Sequence, residues 1–427
     1  MYMFSKAHNF YLKNKAQVVV VPMTGTSAVT ALVLFKVGSR NETKEINGAS
    51  HFIEHLFFKG TKRRPTTEIL SRELDSVGAE YNAYTSKDHT GYYIKVSQEH
   101  TVLAVDMLAD MLWNAKFEPK EIQRERGVVI EEINMYEDNP IMHMEDLLEE
   151  ALFGDQPIGW NIAGPRGVIQ RVTRAELLTH RDRFYQPQNM VIVLAGAVSL
   201  ANGRALSQRF FGRQKNQTPS EAHEFFPAVQ TTTPPVKLVE KETKQIQVAL
   251  GYPAFAYRHP LQTPAQLLAT ILGGTMSSRL FIQVRERRGL AYSIRAGLNV
   301  YQDCGTFVVQ AGLEKTKIRE AIRLIKNELE KVGRRGITVE ELHRAKEYLL
   351  GKMVLGLEES SSQAEWYGRQ ALLLKELKTP DQKRREIKAV TAAKVRQAAR
   401  EIFIPTKARL ALVGPYHSEE EFAQLLK

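Results

Sequence analysis

Two histidines and a glutamate stand together in the run His51-Phe52-Ile53-Glu54-His55. On a helix, positions i and i+4 share a face, so both imidazoles can reach one ion. Glu54 lies one residue from His55, about 100° around a helix of 3.6 residues per turn, and therefore flanks that face. A carboxylate so placed holds a water and takes its proton instead of ligating. The order H-x-x-E-H is an established zinc-site arrangement, and a chain of this composition yields about 0.03 matches by chance. A hydrolytic zinc takes a third protein ligand and keeps a fourth position open. The run from Glu121 to Tyr136, EIQRERGVVIEEINMY, reads as a helix that can supply it. Glu125 and Glu132 are seven residues apart and fall within about 20° of each other, whereas Glu131 points about 100° away. Two helical glutamates are ordinarily a solvated face. A two-histidine site needs a carboxylate, which selects Glu132 as ligand and leaves Glu125 to orient a histidine. The other histidines, His89 and His143 among them, have no partner at ligand spacing.

The elements that must carry these residues follow from periodicity. Strands are expected over 17–21 and 31–36, helices over 50–58, 66–77, 101–113, 119–136 and 142–152, with a β segment over 83–96. A helix over 173–184, opened by a Thr173/Glu176 capping box, leads into a strand over 190–197. Residues 214–235 are polar and end in Thr-Thr-Thr-Pro-Pro, the composition of a linker. A similar order follows: a strand at 245–251, helices at 262–272 and 277–287, strands within 292–313, further helices, then a helix at 391–403 and a strand at 409–414. Val172-Thr173, Tyr185, Pro187 and Gly196 lie over Val390-Thr391, Phe403, Pro405 and Gly414, each with an offset of 218. The expectation is an α+β chain of two duplicated domains, 1–213 and 236–427, joined by a linker at 214–235.

Composition narrows the function. The chain has 427 residues, 43% of them hydrophobic, enough for two cores. The formal charge of +11 is dispersed, with short clusters only at 62–64, 285–288 and 383–385. No aromatic-interleaved basic motif accompanies them, so nucleic-acid binding is not expected. No run of about 18 apolar residues is present, and no membrane partner is expected. The start of the chain lacks the apolar core of a secretory signal. The single Cys304 excludes an internal disulfide, and the expected setting is the reducing cytoplasm.

The segments HFIEHLFFKGT, NAYTSKDHTGYY and ERGVVIEEI together resemble the pitrilysin (inverzincin) family of zinc metallopeptidases, in its short two-domain type like the mitochondrial processing peptidase β subunit. The shared pattern is H-x-x-E-H followed by E-x6-E, with 76 residues between His55 and Glu132. In the second half, LGGTMSSRLFIQVRERRGLAYS is also similar to a family segment. The resemblance implies one zinc on His51, His55 and Glu132, Glu54 as general base and Glu125 as supporting carboxylate. It implies that Asn82 and Ala83 contact substrate backbone, and that Arg285 and Tyr292, spaced R-x6-Y, bind substrate and assist the transition state. It further implies that each domain is a mostly antiparallel sheet packed with helices, the pair forming half of a clamshell chamber. A homodimer, or a heterodimer with a paralogue, would then act as an endopeptidase on peptides or unfolded segments. The alternative it leaves is a non-catalytic or narrow-specificity subunit of a heteromeric processing complex.

Overall fold

The segments Gln17–Pro22, Ala28–Phe35 and Met190–Gly196 are apolar at almost every position rather than at alternate ones, the pattern of strands buried on both faces. In the computed structural model, which describes residues 6–217, 226–229, 233–374 and 376–426, these strands form the middle of the first of two sheets. Strands β1 (His8–Tyr11), β2 (Gln17–Pro22), β3 (Ala28–Phe35), β4 (Glu80–Thr85), β5 (Thr90–Ser97) and β6 (Met190–Gly196) lie in the order β1-β2-β6-β3-β5-β4. The second sheet contains β7 (Val236–Glu240), β8 (Ile246–Ala254), β9 (Ala291–Val300), β10 (Gly305–Leu313) and β11 (Arg409–Gly414), in the order β7-β11-β8-β10-β9. Each sheet is antiparallel apart from one parallel pair, β2/β6 in the first and β7/β11 in the second. Apart from the added edge strand β1, the two orders are the same. The 218-residue offset reaches further than the motif ends: β3 starts at Ala28 and β8 at Ile246. The Thr173 and Thr391 side chains both cap their helices by accepting from the backbone N–H three residues on.

The expected contiguous division at 213 and 236 does not describe the compact units. One unit is Met1–Ile133, Asn161–Phe226 and Val354–Gln382; the other is Asn134–Trp160, Pro227–Met353 and Lys383–Lys427. Each half of the chain gives one helical segment to the sheet of the other half. The helix Pro140–Phe153 lays Met144, Leu148 and Leu152 on Ala249, Ala411 and Val413 of the second sheet. The helix Ser360–Arg369 covers the first sheet, where Gly368 sits against Leu34, Val193 and Leu32, and Ser360 Oγ lies 2.8 Å from Thr30 Oγ1. The physical reason is that β2, β3 and β6 bury both faces, so helices following them in sequence cover only one. Of the expected linker, residues 218–225 and 230–232 lie outside the described residues.

The other face of the first sheet carries the site. Phe52, Ile53, Leu56 and Phe57 of the helix Ala49–Phe57 are fully buried against it, each contributing roughly 1.5–3 kcal/mol. Phe57 packs edge-on against Tyr92 at 5.4 Å and Phe117 at 5.6 Å between ring centres. Among the described residues no helix is long and apolar enough to cross a membrane.

Candidate metal centre

The helix Ala49–Phe57 opens at Gly48, whose φ of +98° is left-handed. A Cβ there would stand 2.5 Å from Ala163 O, so glycine is required on both counts. With one face of the helix fixed in the core, His51, Glu54 and His55 emerge along its other side. The second carrier is the helix Pro119–Asp138, which buries Ile122, Glu125, Val129 and Ile133. Its Arg126 spans the two helices: the guanidinium lies 5.8 Å from the centre of the Phe52 ring and donates to Val172 O at 2.9 Å.

These helices bring together the three residues expected as ligands. His51 Nε2 and His55 Nε2 are 3.3 Å apart, and Glu132 Oε2 lies 3.5 Å from the first and 3.4 Å from the second. A tetrahedral ion bound at about 2.0–2.1 Å separates its ligand atoms by about 3.3–3.4 Å. The three atoms therefore already occupy three corners of such a site, and the residues fit a zinc ion. Glu131 lies on the exposed side of its helix. Glu125, 2% exposed, places Oε2 at 3.2 Å from His55 Nδ1 and Oε1 at 2.7 Å from Lys59 Nζ.

The charges follow from these contacts. Burial disfavours the charged form of His51 and, with the neighbouring His55, lowers its pKa to about 4 against the pull of Glu132. Burial also opposes charge on His55, but hydrogen bonds to Glu125 and Glu132 outweigh it and raise the pKa to about 9. Burial likewise opposes charge on Glu125, yet His55 and Lys59 hold it below the usual carboxylate range. Without an ion these contacts favour the proton on His55, which meets two carboxylates, over His51, which meets one.

Glu54 is raised above its ordinary value by burial, tempered by a hydrogen bond that Thr85 Oγ1 donates to its Oε2 at 2.5 Å. Thr85 ends β4, the outer strand of the sheet, which among the described residues pairs with β5 alone. Asn82 and Ala83 stand on that same edge strand, with Asn82 exposed and its Oδ1 accepting from Ala83 N at 2.9 Å. Arg285 and Tyr292 belong to the other unit. Arg285 lies in a π-helical turn, Phe281–Glu286, where the sequence predicts regular helix. Its guanidinium is 4.7 Å from the centre of the Phe281 ring and 6.0 Å from that of Tyr292, whose side chain is 72% exposed. The fold thus brings that pair together across seven residues.

Sequence reasoning missed Lys59 and Thr85, which contact Glu125 and Glu54, and Glu42 and His180, which bond the first turn of the helix that carries the histidines. Lys59 and Thr85 sit inside the quoted HFIEHLFFKGT and NAYTSKDHTGYY segments, and their basic and hydroxyl types were the available signal. Glu42 and His180 carry no motif.

A half-buried His₂–Glu cluster beside a carboxylate, on a duplicated α+β frame, has the donor set of a hydrolytic zinc site. Residues 17–166 match the family model described as Insulinase (Peptidase family M16), and residues 171–349 match the Peptidase M16 inactive domain, a stretch without any of the three cluster residues. The uncharacterized zinc protease YmxG of Bacillus subtilis (strain 168) is 36% identical over 94% of this chain and 97% of its own. The uncharacterized zinc protease Rv2782c of Mycobacterium tuberculosis (strain H37Rv) is 36% identical over 92% of this chain and 89% of its own. The crystal structure of a protease from Helicobacter pylori superposes with a TM-score of 0.88 at 26% identity, covering 97% of this chain and all of that one. The chain belongs to peptidase family M16, the pitrilysin family.

Proposed function

We propose that this protein is a zinc-dependent endopeptidase acting on peptides or unfolded segments. The observation that carries the reading is the set of three ligand atoms 3.3–3.5 Å apart, with the half-buried Glu54 one residue from a ligand. One zinc held by His51, His55 and Glu132 would supply an acidified water and polarise the scissile carbonyl. The chain's own residues do the rest. Glu54, oriented by Thr85, accepts the proton of the attacking water and returns it to the leaving amine. Glu125 fixes the His55 ring through Nδ1. The outer edge of β4 offers Asn82 and Ala83 to an extended substrate, so backbone bonds give affinity with loose side-chain preference. Arg285, stacked on Phe281, and the exposed Tyr292 6.0 Å from it are assigned to substrate binding and transition-state charge.

A dimer is the proposed assembly, as a homodimer or with a paralogue, because each chain supplies two units of a family whose long members carry four. The lone Cys304 fits a reducing compartment, and the cytoplasm is the proposed location. The test is cleavage of unfolded peptides by protein stripped with a chelator and then reloaded. Activity that disappears on stripping and returns with zinc supports the reading; activity indifferent to metal sinks it.

A further inference from the structure

We infer that Glu42 is a positioning residue for the metal centre: it fixes the first turn of the helix Ala49–Phe57, and through that turn the placement of His51. The inference rests on the metal reading above and deepens it.

The starting point is an asymmetry between the two histidines. His55 has its ring held from behind, with Nδ1 at 3.2 Å from Glu125. His51 has no such partner: its Nδ1 is buried and meets no hydrogen-bonding group among the described residues. Metal-binding histidines are ordinarily oriented through that second nitrogen. His51 must therefore take its orientation from where the backbone puts it.

That backbone is the first turn of a helix, whose leading N–H groups have no partner within the helix. The usual remedy is a cap side chain on the residue before the helix, and Gly48 has none. Glu42, fully buried six residues upstream, supplies the missing acceptors. Its Oε2 accepts from Gly48 N at 2.7 Å and from Asn47 Nδ2 at 3.0 Å, and its Oε1 accepts from Ser50 N at 2.7 Å. Ser50 is then tied a second time, with its Oγ 3.0 Å from Nε2 of the buried His180. His51 is the next residue along the chain. Asn47 Nδ2 also donates to Asn161 O at 3.1 Å, which closes the network on the surrounding loop. Glu42, Asn47, Ser50 and His180 are all buried, and their bonds run to the helix's first turn and the adjoining loop, so the network's effect on the site is geometric.

The test uses the full chain loaded with cobalt(II), whose visible spectrum reports ligand geometry and which takes the same donors as zinc. Glu42→Ala removes both acceptor oxygens and the bonds they take; Glu42→Gln keeps one oxygen and the shape; Ser50→Ala removes the hydroxyl, which ties to His180 and also bonds Glu42, and leaves the Ser50 N–H bond in place. The order expected for metal affinity is wild type, then E42Q, then E42A. E42A should lose about tenfold or more, the scale set by other groups that orient a metal ligand, with an altered cobalt spectrum. Leu148→Ala, in the core of the other sheet, is the matched control: it should lower thermal stability and leave both affinity and spectrum unchanged. If E42A does not fold, E42Q and S50A carry the test through the same two readouts. Affinity and spectrum within twofold of wild type in the folded variants would overturn the positioning role, as would an equal loss in L148A. Wild-type protein that takes up no cobalt sinks the metal reading itself, and the positioning role with it.

Discussion

Replacing Glu125 by glutamine probes the site where its geometry is most specific. Glutamine keeps the shape and an acceptor for His55 Nδ1, now 3.2 Å from a carboxylate oxygen, but removes the charge that also holds Lys59 Nζ at 2.7 Å. Loss of a group that orients a metal ligand weakens binding by about 10–100-fold, or about 1.4–2.7 kcal/mol. A second effect runs against this one. In the metal-free chain Glu125 and Glu132 keep His55 protonated up to about pH 9, and an entering ion must displace that proton. Weakening the hold of Glu125 eases the competition at pH 7 and changes nothing above pH 9. The measured loss should therefore grow as pH is raised from 7 to 9, the sign expected when orientation and proton competition oppose each other. The assay is a zinc competition titration against a chelating dye, repeated across that range. Adding Lys59→Met to E125Q should recover stability, since the ammonium no longer lacks its partner, without recovering zinc affinity. Zinc affinity of E125Q within twofold of wild type at pH 9 would refute the reasoning, as would recovery of affinity in the double variant.

Three other outcomes follow. Zinc at 100 times its dissociation constant should stabilise the fold by about 2.7 kcal/mol; a melting temperature that ignores zinc and chelator counts against the centre. A chain ended at residue 213 lacks the Ser360–Arg369 helix and so bares Leu32, Leu34 and Val193; it should aggregate or bind a hydrophobic dye, and a soluble, cooperatively unfolding fragment would contradict the helix exchange. Burial raises the Glu42 carboxyl to about 7 in spite of its three donors, so its contribution to stability is full below about pH 4.5 and is lost as pH rises through 7. Over that span it amounts to roughly 3 kcal/mol. Urea unfolding from pH 4 to 8 should show this slope in wild type relative to Glu42→Gln, and parallel curves would refute it.

The clustering of His51, His55 and Glu132 was legible because a helix turns the spacing of four between His51 and His55, and of seven between Glu125 and Glu132, into shared faces. The same rule separated Glu132 from Glu131, which the fold leaves on the exposed side. The duplication was legible at the helix–Pro–strand junctions, and the common strand order carries it through both sheets. What periodicity does not encode is the partner of an amphipathic helix. The 142–152 segment reads as a helix with one apolar face, and nothing local says that this face covers the second sheet instead of the first. Glu42 was hidden for a related reason: it reaches its helix across two short 3-10 turns, Ser39–Asn41 and Lys44–Ile46, so no fixed spacing marks it as a cap. Regular helix was expected over 277–287, yet the structure takes a π-helical turn there, with Arg285 stacked on Phe281 and near Tyr292.

The most direct test of the account is hydrolysis of an unfolded peptide by wild type and by Glu54→Gln, with bound zinc counted in both. Glutamine in place of Glu54 still accepts from Thr85 but has no basic oxygen to take a proton, and it leaves His51, His55 and Glu132 untouched. The account predicts about one zinc per chain in each protein, with turnover by wild type and a loss of at least about 100-fold in the variant. A Glu54→Gln protein that holds its zinc and cleaves at the wild-type rate would contradict it.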